Sequence, residues 1–404
     1  MGVSLNLLLL IIFKYANFII ENLNIWFSFI NIPSIENQSI ALPVGISFYT
    51  FQSLSYLVDI YRKETKVQKN ILRLGLYISL FPQLIAGPIV RYHDIANQLE
   101  NRSVSYKKFS YGAQRFLLGL GKKVLIANNF AYVADNIFTM MPSELSATAA
   151  WLGIISYTFQ IYFDFSGYSD MAIGLGSIFG FKIPENFNFP YIARSIKDFW
   201  RRWHISLSTW FRDYLYIPLG GNRKGGVRTY LNLFIVFFLT GLWHGASWNF
   251  VVWGMIHGLF LVLERIGGDK YLNKLWKPLQ HIYALFVVVI AWVLFRAENF
   301  QYAWDYYKAM FGFNDSHSGL YELSKYLNNE FYLVLFVAVL ASTQIFKNAK
   351  DWLEKYSKTL TGNGQIIVQS TFSFLVICFY FGILILCSSY LLSDTYNPFI
   401  YYRF

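Results

Sequence analysis

Charge and cysteine are scarce in this chain of 404 residues. Only 14% of the side chains are formally charged, against about 25% in ordinary soluble domains. The two cysteines, Cys378 and Cys387, lie nine apart in one apolar stretch. A single helix cannot bring such a pair into disulfide geometry, so no disulfide framework is available. No Cys/His spacing of a metal site appears, and no metal is expected. A G-x-S-x-G elbow is absent, and GGNRKGG (220–226) does not match a phosphate-cradling P-loop. These absences remove disulfide scaffolds, zinc modules, α/β-hydrolases and P-loop NTPases.

What replaces charge is apolar and aromatic: 55% hydrophobic residues and 20% Phe, Trp and Tyr. Apolar runs near twenty residues recur, which defines a polytopic membrane protein. The net charge of +11 falls in short loops such as Arg62 to Arg73. That distribution is the positive-inside signal and not a nucleic-acid footprint, so no nucleic acid is expected and membrane lipids are. Membrane segments are expected at 1–20, 40–60, 71–85, 151–181, 229–263, 279–295, 331–346 and 366–392. With shorter pieces this makes about nine to ten in an all-α bundle. One domain, 1–404, is the simplest count. Phe116, Leu117, Leu120 and Val124 recur at helical spacing, which fits either a helix lying in the interface or a connecting helix.

Two carboxylates interrupt the 151–181 run, Asp164 and Asp170. Six residues apart, they point to opposite faces of a helix and do not form an acid/base pair. An ion pair to the basic 194–228 segment or a cavity wall would satisfy them.

The most informative stretch is 194–261. Arg194 to Arg228 holds eight Lys/Arg and two Asp, interleaved with aromatics; Thr229 to Leu263 has no formal charge but contains His244 and His257. As one helix this second part would be about 50 Å long against a hydrocarbon core of about 30 Å. It should break near His244, which Gly241 and Gly245 flank. An ionisable group there either lines a cavity or packs with one hydrogen bond to a carbonyl. His257 lies about 220° round a continuous helix from His244, and reads as structural.

Four stretches carry a resemblance: WRRWHISLSTWFRDYLYIPLGGNRKG (200–225), TGLWHGASWNFVVWGMIHG (240–258), FPQLIAGPIVRY (81–92) and YFDFSGYSDMAIGLGSIFGFKIPENFNFPY (162–191). They resemble the membrane-bound O-acyltransferases (MBOATs), on the bacterial branch that O-acetylates alginate and peptidoglycan and D-alanylates teichoic acid. The ending PFIYYRF (398–404) is similar to the aromatic ending of that branch. The resemblance implies an MBOAT-like bundle with re-entrant or broken helices around a central tunnel. It implies catalytic roles for His244, as general base, and His204, as a residue orienting donor or tunnel. It also implies an acyl donor such as acetyl-CoA, with no bound cofactor, a polysaccharide acceptor, and an extracytoplasmic acetyltransferase or esterase-like partner. The expected location is the inner membrane. Relatives usually carry further hydrophobic spans ahead of the stretch matching IIFKYANFI (11–19), so this chain is expected to begin late. Arg201, Arg202 and Arg212 are candidates for a phosphorylated donor, and Trp243 and Asn249 for substrate contact beside His244. The tail is a candidate docking element whose deletion would leave folding intact. D-alanyl transfer to teichoic acid, and a non-enzymatic glycan or lipid transporter gated by His244, are the alternatives.

Overall fold

The computed structural model describes residues 1–36, 40–314, 323–393 and 398–400, and every regular element among them is helical. Among the described residues five helices are long and apolar enough to cross a membrane: Gly2–Phe29, Gly226–His244, Trp248–Leu272, Lys277–Arg296 and Asn363–Leu392. A sixth is possible if Asn329–Ala341 and Ile345–Thr359, bent by 60°, count together. The all-α polytopic class therefore holds, with five to six helices among the described residues long and apolar enough to cross by themselves. Several apolar runs became short or internal helices instead. Ile46–Tyr61 has 16 residues and Ile71–Ser79 has 9. Ala147–Ile178 has 32, but it buries Gln160, Asp164, Ser166, Ser169 and Asp170 within protein.

That helix is the axis of the bundle. Ser146 caps its start, the hydroxyl accepting from the Ala149 N–H. Its partner is Tyr106–Gly121, and the two backbones touch at reciprocal glycines. A Cβ on Gly174 would lie 2.6 Å from the Gly112 carbonyl oxygen, and one on Gly119 2.5 Å from that of Gly167. Small residues at such a crossing let helices approach to backbone contact. The Tyr106–Gly121 helix therefore packs one face on the axial helix through its glycines, while Tyr106, Phe109 and Tyr111 stay exposed.

The same packing settles the two carboxylates. Asp170 pairs with Arg115 and Lys122, both at 2.7 Å, and Asp164 pairs with Lys123 at 3.0 Å. Ion pairing was the right reading, but the cations come from 115–123 and not from 194–228. Asp164 also accepts from the Ile400 N–H at 2.8 Å, and the Lys123 ammonium donates to the Pro398 carbonyl. Phe399 packs on Tyr168. Residues 401–404 of the aromatic ending lie outside the described residues; before them Ile400 is buried and Pro398 and Phe399 are half-buried against the bundle. Its deletion would strip buried contacts and not leave folding untouched. Removing one member of a buried pair strands the other charge. Asp164→Ala is expected to cost about 3–5 kcal/mol, read as a lowered thermal midpoint of the detergent-solubilised chain.

The run 229–263 forms two antiparallel helices and not one interrupted span. Gly226–His244 ends, Gly245 to Ser247 turn, and Trp248–Leu263 returns. The Ser247 hydroxyl accepts from the Asn249 N–H at the new start. Close contact is again glycine-dependent: a Cβ on Gly241 would meet the Phe250 carbonyl oxygen at 2.3 Å, and one on Gly254 that of Phe237 at 2.2 Å. Gly226–His244 and Trp248–Leu272 are each long and apolar enough for one crossing. The break falls where the glycines and the length argument put it, but the chain reverses there. His244 is the last residue before the turn.

Candidate active site

Between the axial helix and this hairpin lies an irregular segment, 182–216, that buries polar groups. Its short helix Ile196–Trp200 is held from outside. The Glu264 carboxylate accepts from the Ile196 and Lys197 N–H groups at 2.6 and 3.0 Å, and from the Tyr283 hydroxyl at 3.2 Å. His204 follows in a left-handed conformation (φ 45°) and is fully buried. Such a backbone costs about 1–3 kcal/mol for a non-glycine residue and persists only where surroundings enforce it.

Asn186 enforces it. Its carbonyl accepts from the Ile205 N–H at 2.9 Å, and its side-chain Oδ1 accepts from the Ser206 N–H at 3.2 Å and hydroxyl at 2.8 Å. His204 Nδ1 lies 3.2 Å from the same Oδ1. The Ser206 backbone donor fixes which Asn186 atom is oxygen, so His204 Nδ1 must carry the proton. Nε2 is then the lone-pair nitrogen, and it has no hydrogen-bond partner among the described residues.

His204 and His244 lie with ring centroids 6.5 Å apart. Trp243 packs against both, at 6.1 Å and 4.9 Å. Beyond His244, Trp253 is 5.1 Å away and His257 a further 5.1 Å, with Phe295 also 5.1 Å from His244. The helix-phase argument that separated His257 from His244 assumed one helix; the turn brings His257 within one tryptophan of it. His257 accepts from Trp200 Nε1 at 3.3 Å, which ties it to the 196–200 helix.

Two cavities approach this cluster. One, of about 40 Å³, is lined by Lys14, Ser47, Trp243 and His244. The other, of about 220 Å³, has Lys197, Arg201 and Arg212 in its wall and runs past Trp200, Phe211 and Phe237 to Thr240. Thr240 is one helical turn before His244. Thus the structure gathers His204, His244 and Trp243, and separately Arg201 and Arg212. It does not bring in Arg202, which pairs with Asp198 at 2.8 Å and donates to the Asn188 carbonyl at 3.2 Å. Asn249 is buried and donates through Nδ2 to the Ala297 carbonyl at 2.9 Å, a strut between helices. Among the described residues no three His, Cys, Asp or Glu groups could hold a metal.

The basic rim is anchored by a charge network. Arg91 pairs with Asp213 at 2.8 Å, and Arg62 donates to the Asp213 carbonyl at 3.2 Å. The Tyr214 hydroxyl donates to Asp59 at 2.7 Å. His93 sits between Asp59, 2.8 Å away, and Asp94, 3.3 Å away. Hydrogen bonding to Asp59, then to Asp94, raises the His93 imidazole to about 9. A raised folded-state value means the stabilisation is complete below about 6.5, the unfolded value, and is lost as pH climbs through 9. The native chain is expected to lose thermal stability between pH 6.5 and 10 by more than His93→Gln does, measured by melting in detergent.

Asn186 and Glu264 were not singled out from sequence. Their partners, 18 and 68 residues away, leave no periodic signal.

Comparison with known proteins adds identity to this geometry. The model of the membrane-bound O-acyltransferase family matches residues 62–303. A relative from Azotobacter vinelandii, "Probable alginate O-acetylase AlgI", is 48% identical over 315 residues, covering 78% of this chain and 63% of its own length. The Pseudomonas putida protein of the same description is 41% identical over 418 residues, covering 100% of this chain and 84% of its own. The "Peptidoglycan O-acetyltransferase" of Helicobacter pylori is 41% identical over 345 residues, covering 78% and 64%.

Proposed function

This chain belongs to the membrane-bound O-acyltransferase family, and we propose that it moves acetyl groups across the inner membrane for O-acetylation of an exported or cell-wall polysaccharide. The whole chain acts as one membrane unit in this reading. The observation that carries it is the packed His204–Trp243–His244 cluster, with one cavity beside Lys14 and Ser47 touching Trp243 and His244 and a second, basic-walled cavity ending at Thr240, one helical turn away. A cytoplasmic thioester, acetyl-CoA, would enter on the basic side. Arg201 and Arg212 suit its phosphates, and the aromatic wall of the larger cavity suits its acyl arm.

The acceptor hydroxyl oxygen attacks the thioester carbonyl while an imidazole takes the hydroxyl proton; the C–S bond then breaks and the thiolate leaves with that proton. His244 is the base in this scheme. A neutral imidazole suits the step because its ordinary pKa lies near working pH. His204, with its lone pair at Nε2, suits an amide N–H of the donor arm. Delivery to the final glycan falls to an extracytoplasmic partner, which meets the chain on the face away from the basic rim. The relatives described as acetylases of alginate and peptidoglycan support acetyl as the group and polysaccharide as the acceptor class.

The test is glycan O-acetylation in cells lacking the gene, with and without the native chain. Restored alkali-labile acetate, together with chain-dependent consumption of acetyl-CoA by membranes, is the expected result. Glycan export without donor consumption would favour a transporter.

A further inference from the structure

His244 closes a helix, and a helix end leaves its last carbonyls without internal partners. Gly241 O accepts from the Gly245 N–H at 3.3 Å. The next three carbonyls are satisfied from a distant part of the chain. The Tyr15 hydroxyl donates to Leu242 O at 2.7 Å, and the Lys14 ammonium donates to Trp243 O and, at 3.4 Å, to His244 O. Lys14 also donates to Ser47 Oγ at 3.0 Å and lies 5.9 Å from the centre of the Trp243 ring. Further along the same helix, Asn22 accepts from Trp248 Nε1 at 2.9 Å, and Phe18 packs on the Trp248 ring. The first span therefore grips both sides of the turn that carries His244.

A cation at a helix C-terminus answers the partial negative charge of the carbonyls. A lysine in a membrane span is costly unless it has such work. Gly2–Phe29 buries little of itself in protein, so Lys14 stands out as its polar attachment to the site. We propose that Lys14, assisted by Tyr15, is a positioning residue: it completes the cap of the helix ending at His244 and holds that imidazole in the wall of the smaller cavity, which Lys14 also lines. The inference rests on the acyltransfer reading above.

The test uses inverted membrane vesicles carrying the full chain at matched levels, with acetyl-CoA titrated and free CoA release followed. Lys14→Met keeps the length and removes the charge. It is expected to lower kcat about tenfold or more and leave KM within about twofold, since misplacing a reacting group costs rate and not donor binding. Lys14→Arg, which retains charge and donors, recovers most of that kcat. Tyr15→Phe, which loses a single hydroxyl, lowers kcat less and in the same sense, and serves as the readout if Lys14→Met fails to accumulate. Native kcat in both Lys14→Met and Tyr15→Phe, or a rise in KM alone, overturns the inference while an inactive His244→Ala leaves the reading of the site standing. A native chain that consumes no acetyl-CoA overturns the functional reading and the inference with it.

Discussion

His244→Ala, at membrane levels matched to the native chain, is expected to lower acetyl-CoA turnover and glycan acetylation at least a hundredfold. A positioned general base contributes about 10²–10⁴-fold, more than any other single group in the site. The side chain is 3% exposed and packed between Trp243, Trp253 and Phe295. Truncation therefore also opens a cavity, costing on the order of 2–4 kcal/mol, so matched levels are essential to the measurement. Equal rescue of glycan acetylation by native and His244→Ala chains would leave a packed histidine, and His204 would become the base to examine. If His244→Ala is inactive yet melts within a few degrees of the native chain, the loss is chemical and not a failure of folding.

The second large effect is expected at Asn186. Oδ1 of this residue holds Ser206 and His204 together, and it decides which imidazole nitrogen of His204 carries the proton. Loss of such an orienting partner costs about 10–100-fold where it has been measured around ligating histidines. Asn186→Ala is accordingly expected to lower kcat/KM for acetyl-CoA about 10–100-fold. Asn186→Asp keeps an acceptor at the same place and is expected to retain more activity than the alanine variant. Because the Ser206 hydroxyl also donates to Asn186 and accepts from the Ile89 N–H at 2.9 Å, some thermal destabilisation will accompany Asn186→Ala. Comparing Asn186→Ala with Ser206→Ala separates the two contributions: Ser206→Ala loosens the segment but leaves the His204 Nδ1 acceptor in place. Equal kcat/KM in those two variants would mean that packing of the segment, and not the His204 tautomer, governs the rate.

Legibility differed by residue type. Aspartates in an apolar run were recognisable as ion-paired because an unpaired carboxylate there is too costly; their cations were not, because glycine contacts at 112, 119, 167 and 174 chose the neighbour. Arg201, Arg202 and Arg212 look alike in sequence. Arg202 pairs with Asp198 and Arg212 with Asp213, and only the fold shows that Arg201 and Arg212 stand in a cavity wall while Arg202 does not. Asn249 sits close to His244 along the chain yet ties off a carbonyl on another helix.

Composition and motifs by themselves determined the class of this protein. Scarce charge, long apolar runs and basic loops can be solvated only by a lipid bilayer, and the long motifs around His204 and His244 carry the family resemblance. The break at His244 was also legible, because 35 apolar residues exceed one crossing, but its reversal was not. What only the tertiary structure decided is how that turn is used. The helices pack antiparallel through Gly241 and Gly254, Asn186 reaches across 18 residues to set His204, and Lys14 reaches across 229 to cap the chain at Trp243. Each is a contact between segments remote in sequence. Its partner is selected by the geometry of packed helices, where buried hydrogen-bonding groups must find one another, and no local pattern of residues encodes that choice.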